Sequence, residues 1–64
     1  MVTCVVTYKN GSERYFEIDT DLFDDYDVRY VDGYYKIIAS KGDVDFLIAK
    51  IPQRAVRGYY FEED

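Results

Sequence analysis

Short runs of β-branched and aromatic residues, separated by glycine-containing turns, limit most strongly the folds open to this chain. Asn10-Gly11 separates VTCVVTY from ERYFEID, and Asp32-Gly33 separates DVRYV from YYKIIAS. Asn-Gly or Asp-Gly between such runs is the strongest short-range signal for a β-hairpin. A third turn, SKGD, follows the second hairpin. The sequence therefore predicts a small all-β protein built from short antiparallel strands.

The first hairpin has two candidate registers. A two-residue turn at Asn10-Gly11 would place Cys4 on the same face as Glu17 and scatter the apolar side chains over both faces. A three-residue loop ending in a left-handed Gly11 places Cys4 opposite Phe16 and gathers the apolar side chains on one face. We predict the second register, because a slip of one residue would turn every side chain to the wrong face.

The following strands are predicted to form a meander with one buried face. A type I′ turn at Asp32-Gly33 pairs Val31 with Tyr34. The third strand follows a turn at Lys41-Gly42 or at Gly42-Asp43, and both choices leave the same side chains facing inward. The predicted core face consists of Tyr26, Val28, Tyr30, Tyr35, Ile37, Ala39, Val44, Phe46 and Ile48.

The end of the chain predicts one more strand after a short helical turn. Pro52 ends the preceding strand, PQRAV makes the turn and RGYYFE follows as the last strand. This order, with a long second loop and a meander, is similar to SH3-like barrels. The resemblance implies a strongly twisted antiparallel sheet closing into a barrel as one small domain, 1–64. An open meander, or a dimer of such sheets, is the alternative.

Two Gly-Tyr-Tyr triplets, at 33–35 and 58–60, are interpreted as strand-building elements. Successive side chains of a strand point to opposite faces, so each triplet turns one ring inward and one outward. Tyr35 and Tyr59 are predicted to lie inside, together with Phe61. Tyr34 and Tyr60 are predicted to lie outside.

The residue types present exclude most catalytic chemistry, so the protein is predicted not to be an enzyme. The chain has no histidine and a single cysteine, Cys4, at a predicted core position. Nucleophilic and acid–base mechanisms need an activated side chain in a water-poor cleft. One cysteine allows neither an internal disulfide nor a zinc cluster, and no cofactor is predicted. A cytoplasmic protein without a membrane span or signal peptide is expected.

An acidic segment joins the two predicted hairpins. Its five carboxylates are Asp19, Asp21, Asp24, Asp25 and Asp27. An EF-hand loop requires glycine at its sixth position and glutamate at its twelfth, where this segment has Asp24 and Tyr30. A solvated loop without metal is therefore predicted, with its Leu22-Phe23 pair tucked inward. A contact surface for a basic partner is the alternative.

The outer face of the meander carries apolar side chains where a solvated face should be polar. This predicted partner-binding stripe comprises Val31, Tyr34, Ile38, Leu47 and Ile51, with Tyr60 from the last strand. The Leu22-Phe23 loop, a second copy of the chain or another protein would cover it. A net charge of −5 favours a basic protein partner and opposes binding to nucleic acid or to anionic membranes.

The leading functional hypothesis is a non-enzymatic protein-binding module, a small regulator or inhibitor that occupies a partner's surface. In size the chain resembles the small accessory proteins of phages and mobile elements. Two alternatives stay open. Lys50, Arg54 and Arg57 near Tyr59-Tyr60 would suit a small barrel that binds single-stranded nucleic acid. The carboxylates at Glu13, Glu17 and Asp19 would suit an acidic mimic of nucleic acid.

Overall fold

The computed structural model describes residues 1–63 and is an all-β protein, as predicted. Asp64, the last residue of the predicted domain, lies outside the described residues. The elements are β1 (Val2–Tyr8), β2 (Glu13–Ile18), β3 (Asp25–Val31), β4 (Tyr34–Lys41), β5 (Val44–Pro52), a 3-10 turn (Gln53–Ala55) and β6 (Val56–Glu63). The short helical turn before the last strand is thus confirmed.

The strands form two antiparallel three-stranded sheets. The first sheet has the order β2-β1-β6 and the second has the order β3-β4-β5. Within residues 1–63, no strand pairing joins the two sheets into a closed barrel. The two sheets pack face to face, since the buried cluster draws side chains from both.

The first hairpin has the predicted register. Cys4 pairs with Phe16 and Val2 with Ile18. The Gly11 amide donates to the Tyr8 carbonyl, and Gly11 has a φ of +90°. The loop is closed by Asn10, whose side-chain oxygen accepts bonds from the Ser12 amide at 3.0 Å and the Ser12 hydroxyl at 2.6 Å.

The two turns of the second sheet follow from positive φ angles. Asp32 and Gly33 have φ values of +53° and +82°, as a type I′ turn requires. Lys41 pairs with Val44, so the β4–β5 turn is centred on Gly42-Asp43. Gly42 alone has positive φ there, the pattern of a type II′ turn.

A β-bulge in β5 changes which side chains face the core. Ile38 pairs with Leu47, whereas the neighbouring Ile37 pairs with Ala49, so Ile48 is the extra residue. Because the bulge shifts the alternation by one residue, Ala49 and Ile51 point inward. The predicted outward position of Ile51 is therefore wrong: its side chain is only 4% exposed and belongs to the core.

The core lies between the two sheets and is small. Its buried members are Cys4, Val6, Ile18, Ile37, Ala39, Ile51 and Val56. Aromatic rings cross from sheet to sheet beside it, with Tyr26 and Phe61 centroids 4.8 Å apart and Tyr35 and Tyr59 centroids 5.9 Å apart. Tyr35, Tyr59 and Phe61 therefore face the opposite sheet as predicted, although Tyr59 remains 44% exposed.

Three predicted core residues lie at the ends of the second sheet and remain exposed. They are Tyr30, Val44 and Phe46. Each belongs to the inward row of its strand, but that row extends beyond the buried cluster. Phe46 contacts the Phe23 ring and Tyr30 contacts the Tyr35 ring, each with centroids 5.5 Å apart, but neither contact buries its residue.

Residues 19–24 form a turn that brings Phe23 against the core. The Asp19 carbonyl accepts bonds from the Leu22 and Phe23 amides, and its carboxylate accepts one from the Asp21 amide at 2.9 Å. Asp19 therefore closes this turn through both its carbonyl and its carboxylate. Phe23 packs on the core as predicted, while Leu22 is exposed.

Candidate functional site

The outward-facing side of the second sheet, here the second-sheet outer face, carries four of the six predicted partner-binding residues. Val31 and Tyr34 are paired at one end of it, beside Pro52. Ile38 and Leu47 are paired nearer its middle. The four residues share a face because β3, β4 and the first half of β5 keep a regular alternation.

A row of cations divides the predicted stripe into two parts. Arg29, Lys36 and Lys50 are aligned across the three strands, between the Val31–Tyr34 pair and the Ile38–Leu47 pair. The Lys50 ammonium lies 4.3 Å from the centre of the Tyr34 ring. The stripe is therefore two small apolar patches with basic side chains between them.

Acidic residues border the other end of this face. Arg29 donates to the Asp45 carboxylate at 3.2 Å, and the Ser40 hydroxyl donates to Asp45 at 2.7 Å. The Ser40 hydrogen bond, and then the Arg29 guanidinium, hold the pKa of the Asp45 carboxyl below its ordinary value of 3.8. Asp45 is thus an anion at neutral pH, and the rim of the face carries charges of both signs.

Leu47 is the most accessible apolar side chain on the second-sheet outer face. It is 58% exposed, whereas its neighbour Ile38 is only 8% exposed. The loop containing Leu22 and Phe23 does not cover this pair, because Phe23 packs against the core on the opposite side of the sheet. Leu47 therefore presents a free apolar surface with Ile38 beneath it.

The other two predicted site residues lie elsewhere. Ile51 is in the core, as described above. Tyr60 belongs to β6 and pairs with Val5 of β1, which places it on the outward side of the first sheet. The structure therefore does not bring Ile51 or Tyr60 together with Leu47.

The carboxylates of the acidic segment are used mainly in local hydrogen bonds. Asp25 and Asp27 each accept a bond at 2.8 Å from the amide of the following residue. Asp24 accepts one at 2.8 Å from the Gly42 amide, which ties the segment to the β4–β5 turn. In the part of the chain that the structure describes, no three carboxylate or thiol side chains are grouped as metal ligands would be.

A second surface lies on the outward side of the first sheet. The sequence had indicated Glu13, Glu17 and an outward Tyr60, but not that they share one face. This first-sheet outer face has three rows, Glu17–Thr3–Glu62, Tyr15–Val5–Tyr60 and Glu13–Thr7–Gly58. The alternation of residue types in ERYFEI could have predicted this surface. In the register that points Phe16 inward, Glu13, Tyr15 and Glu17 all point outward.

Two tyrosine hydroxyls on this face have raised pKa values. For Tyr15 the main cause is its hydrogen bond to Glu13 at 3.2 Å, followed by the negative charge of Glu13. For Tyr60 the cause is partial burial, followed by the charges of Glu62 and Glu13. Both rings therefore stay neutral at physiological pH and lie close to carboxylates.

Cys4 is the one side chain of the chain that could serve as a thiol nucleophile. It is fully buried, and burial raises the pKa of its thiol to about 11. A thiol that is neutral and inaccessible at neutral pH behaves as a small apolar side chain.

No protein-family model matches this chain, and searches of curated proteins and of solved structures also found no match. Among the described residues, no helix is long and apolar enough to cross a membrane.

Proposed function

We propose that the protein is a non-enzymatic binding module that acts on another protein through the second-sheet outer face. The observation that carries this proposal is the exposure of Leu47 beside the covered Ile38, on the side of the sheet that faces away from the core cluster. Exposed apolar side chains grouped on a sheet face and rimmed by charges are typical of protein interaction sites. Val31 and Tyr34 extend the contact on the other side of the cation row.

The absence of catalytic activity is part of this proposal. The chain has no histidine, and the pKa of its single thiol is raised by burial. A regulator or inhibitor needs only to occupy a partner's surface, and both outer faces are available for that. The buried, unpaired cysteine also favours a cytoplasmic location.

We further propose that the fold is an SH3-like barrel in outline. The strand order β2-β1-β6 followed by β3-β4-β5, with a 3-10 turn before the last strand, supports this relation. The accessory proteins of phages and mobile elements remain the proposed biological setting, on the grounds of size alone.

A substitution of Leu47 tests the proposed site. Affinity capture followed by titration with the purified partner should show at least tenfold weaker binding for Leu47→Asp, because truncating or charging a central anchor of an interface costs about 2–4 kcal/mol. Leu22→Asp is the matched control, since Leu22 is also exposed but lies in the loop at residues 19–24. Equal binding by the parent and Leu47→Asp would remove this face from the proposal.

The cation row supports a second candidate function, binding of single-stranded nucleic acid. Lys50 lies 4.3 Å from the centre of the Tyr34 ring, and Arg29 and Lys36 belong to the same row as Lys50. Cations next to an aromatic ring can hold phosphates while a base stacks. Binding of a labelled oligonucleotide should then weaken with salt with a logarithmic slope of about −2 for three phosphate contacts. Protein binding through Leu47 should show a much shallower dependence.

The acidic mimic of nucleic acid also remains a candidate. The first-sheet outer face, with Glu13, Glu17 and Glu62, supports it. Such a mimic would compete with an oligonucleotide for a nucleic-acid-binding enzyme, and a competition assay would detect that.

A further inference from the structure

The first-sheet outer face is separate from the proposed site, and its two tyrosines surround a fully covered side chain. Val5 is 0% exposed although it does not belong to the core cluster between the sheets. Its neighbours in the same row are Tyr15 and Tyr60, on either side. These remain 61% and 47% exposed. The face therefore has an apolar floor and two accessible aromatic side chains.

The charge on this face has a single sign. Three of its nine aligned positions are glutamates, and none is lysine or arginine. Arg14, the basic residue of β2, lies on the other side of the sheet, 5.1 Å from the centre of the Phe16 ring. Within residues 1–63, the one salt bridge is Arg29–Asp45, on the second sheet. Among residues 1–63, Glu13, Glu17 and Glu62 thus form no salt bridge.

Elsewhere in the molecule, cations and aromatic rings are already paired with each other. Lys50 lies over Tyr34 and Arg14 lies over Phe16. On the first-sheet outer face, Tyr15 and Tyr60 are exposed rings with carboxylates beside them. None of the nine aligned positions of this face carries a cation that could pair with these rings. Guanidinium groups suit it best, because they bind carboxylates through a two-pronged hydrogen bond and stack on aromatic rings.

We propose that the first-sheet outer face binds an extended, arginine-containing segment of a partner protein. Glu17 and Glu62 are separated by two strand spacings, about 10 Å, which lets them hold two different arginine side chains. Tyr15 and Tyr60, in the adjacent row, offer the ring faces. This inference is independent of Leu47. It deepens the acidic-mimic candidate, which rests on the same face, by naming the class of partner segment that the face would bind.

Charge selects this occupant over the alternatives. A second copy of the chain also carries a net charge of −5 and is repelled at long range. Nucleic acid is repelled by the same three carboxylates. A basic protein segment is attracted by both the local and the overall charge, which also raises its association rate.

Isothermal titration with a hexa-arginine peptide tests the proposal, with backbone amide shifts read by NMR. The parent protein should bind, and the largest shifts should fall on Val5, Tyr15 and Tyr60, with little change at Leu47. The double variant Glu17→Gln/Glu62→Gln should bind about five- to tenfold more weakly, which corresponds to about 1–1.4 kcal/mol for the loss of two exposed ion pairs.

The control is a second double variant, Asp21→Asn/Asp43→Asn. Both double variants change the net charge from −5 to −3. Asp21 lies in the loop between β2 and β3, and Asp43 lies in the turn between β4 and β5, so neither belongs to the strands that form this face. The control should bind within twofold of the parent. Equal weakening of both variants would show diffuse charge attraction and overturn the proposal, as would failure of the parent to bind the peptide.

Two further outcomes would show that this face binds something other than a basic protein segment. Sedimentation of the free protein as a dimer that Glu17→Gln/Glu62→Gln dissociates would assign it to a second copy. Shifts at Val5 and Tyr60 on adding a single-stranded oligonucleotide, without shifts on adding hexa-arginine, would assign it to nucleic acid. Either result would overturn the basic segment as occupant.

Discussion

Gly11 shows how one backbone angle decides the register of a whole strand pair. Its φ of +90° ends the three-residue loop and lets Cys4 meet Phe16. An added Cβ at this position would meet no heavy atom within 4 Å. The requirement for glycine is therefore conformational and owes nothing to crowding.

We predict that Gly11→Val lowers the free energy of unfolding by about 1–2 kcal/mol, the cost of forcing an L residue into the left-handed region. Gly58→Val is the matched control, because Gly58 lies in β6 without a positive φ and its nearest added-Cβ contact, the Thr7 hydroxyl at 3.8 Å, is ordinary. Urea denaturation of both variants measures the difference. Equal midpoints would argue against the left-handed loop.

Cys4 couples stability to alkaline pH. The pKa of its thiol rises from 9.0 to about 11 on folding, because burial disfavours the thiolate. Between these two values the unfolded chain has released the proton while the folded chain still holds it. Stability is therefore fully present below pH 9 and decreases as the pH rises toward 11.

We predict that the unfolding free energy of the parent, relative to that of Cys4→Ala, is constant up to about pH 8 and then falls by up to about 3 kcal/mol. This size follows because each unit of pKa shift corresponds to about 1.4 kcal/mol. Tyrosine ionisation is common to both proteins and cancels in the difference. Urea denaturation at a series of pH values measures it. A difference that stays constant through pH 11 would contradict the pKa assignment.

At the scale of elements, the bulge at Ile48 determines what β5 buries and what it exposes. Before the bulge, Leu47 faces outward beside Ile38, and after it Ile51 faces the core opposite Tyr35. A strand without the bulge would place both residues on one face. The four consecutive apolar residues from Phe46 to Ala49 break the alternation expected of a half-buried strand, which indicates a bulge. They do not indicate which residue is the extra one.

We predict opposite outcomes for the same substitution at two positions of β5. Ile51→Asp buries an unpaired carboxylate, which costs several kcal/mol and should unfold a domain with about 5 kcal/mol of stability. Leu47→Asp should retain the fold with a loss of about 1 kcal/mol or less, because Leu47 is exposed. Circular dichroism melts compare them. An unfolded Leu47→Asp protein would mean that its face is covered.

At the scale of the whole molecule, aromatic side chains connect the two sheets. Adjacent ring contacts run from Tyr30 through Tyr35, Tyr59 and Phe61 to Tyr26. Two of these contacts cross between the sheets, Tyr35–Tyr59 and Tyr26–Phe61. The inward residues of both Gly-Tyr-Tyr triplets therefore meet each other, while Tyr34 and Tyr60 point to different outer faces.

We predict a coupling free energy of about 1 kcal/mol between Tyr26 and Phe61, the value typical of an aromatic pair. Tyr26→Leu, Phe61→Leu and the double variant form the mutant cycle, read by urea denaturation. Tyr15 and Tyr60 form the control cycle, because Val5 lies between them and their strands are not adjacent. Its coupling should stay within about 0.5 kcal/mol. Equal couplings in the two cycles would remove the special role of the cross-sheet contact.

The sequence by itself determined the turns at Gly11 and Asp32-Gly33, the registers of the two hairpins and the all-β class, whereas it left the turn at Gly42 open between two positions. These depend on local chemistry, since Gly11, Asp32-Gly33 and Gly42 adopt angles that few other residues tolerate and each angle sets the neighbouring pairing. The same local rules also place Val31, Tyr34, Ile38 and Leu47 on one outer face.

Only the tertiary structure decided which faces are covered and which are free. The bulge, the inward turn of Ile51 and the packing of Phe23 against the core depend on how the second sheet fits the first, and the residues involved are far apart in sequence. The same packing put Tyr60 on the first sheet, away from Leu47, because β6 pairs with β1. Turn chemistry acts over a few residues, whereas burial is a property of surfaces that meet only when the whole chain has folded.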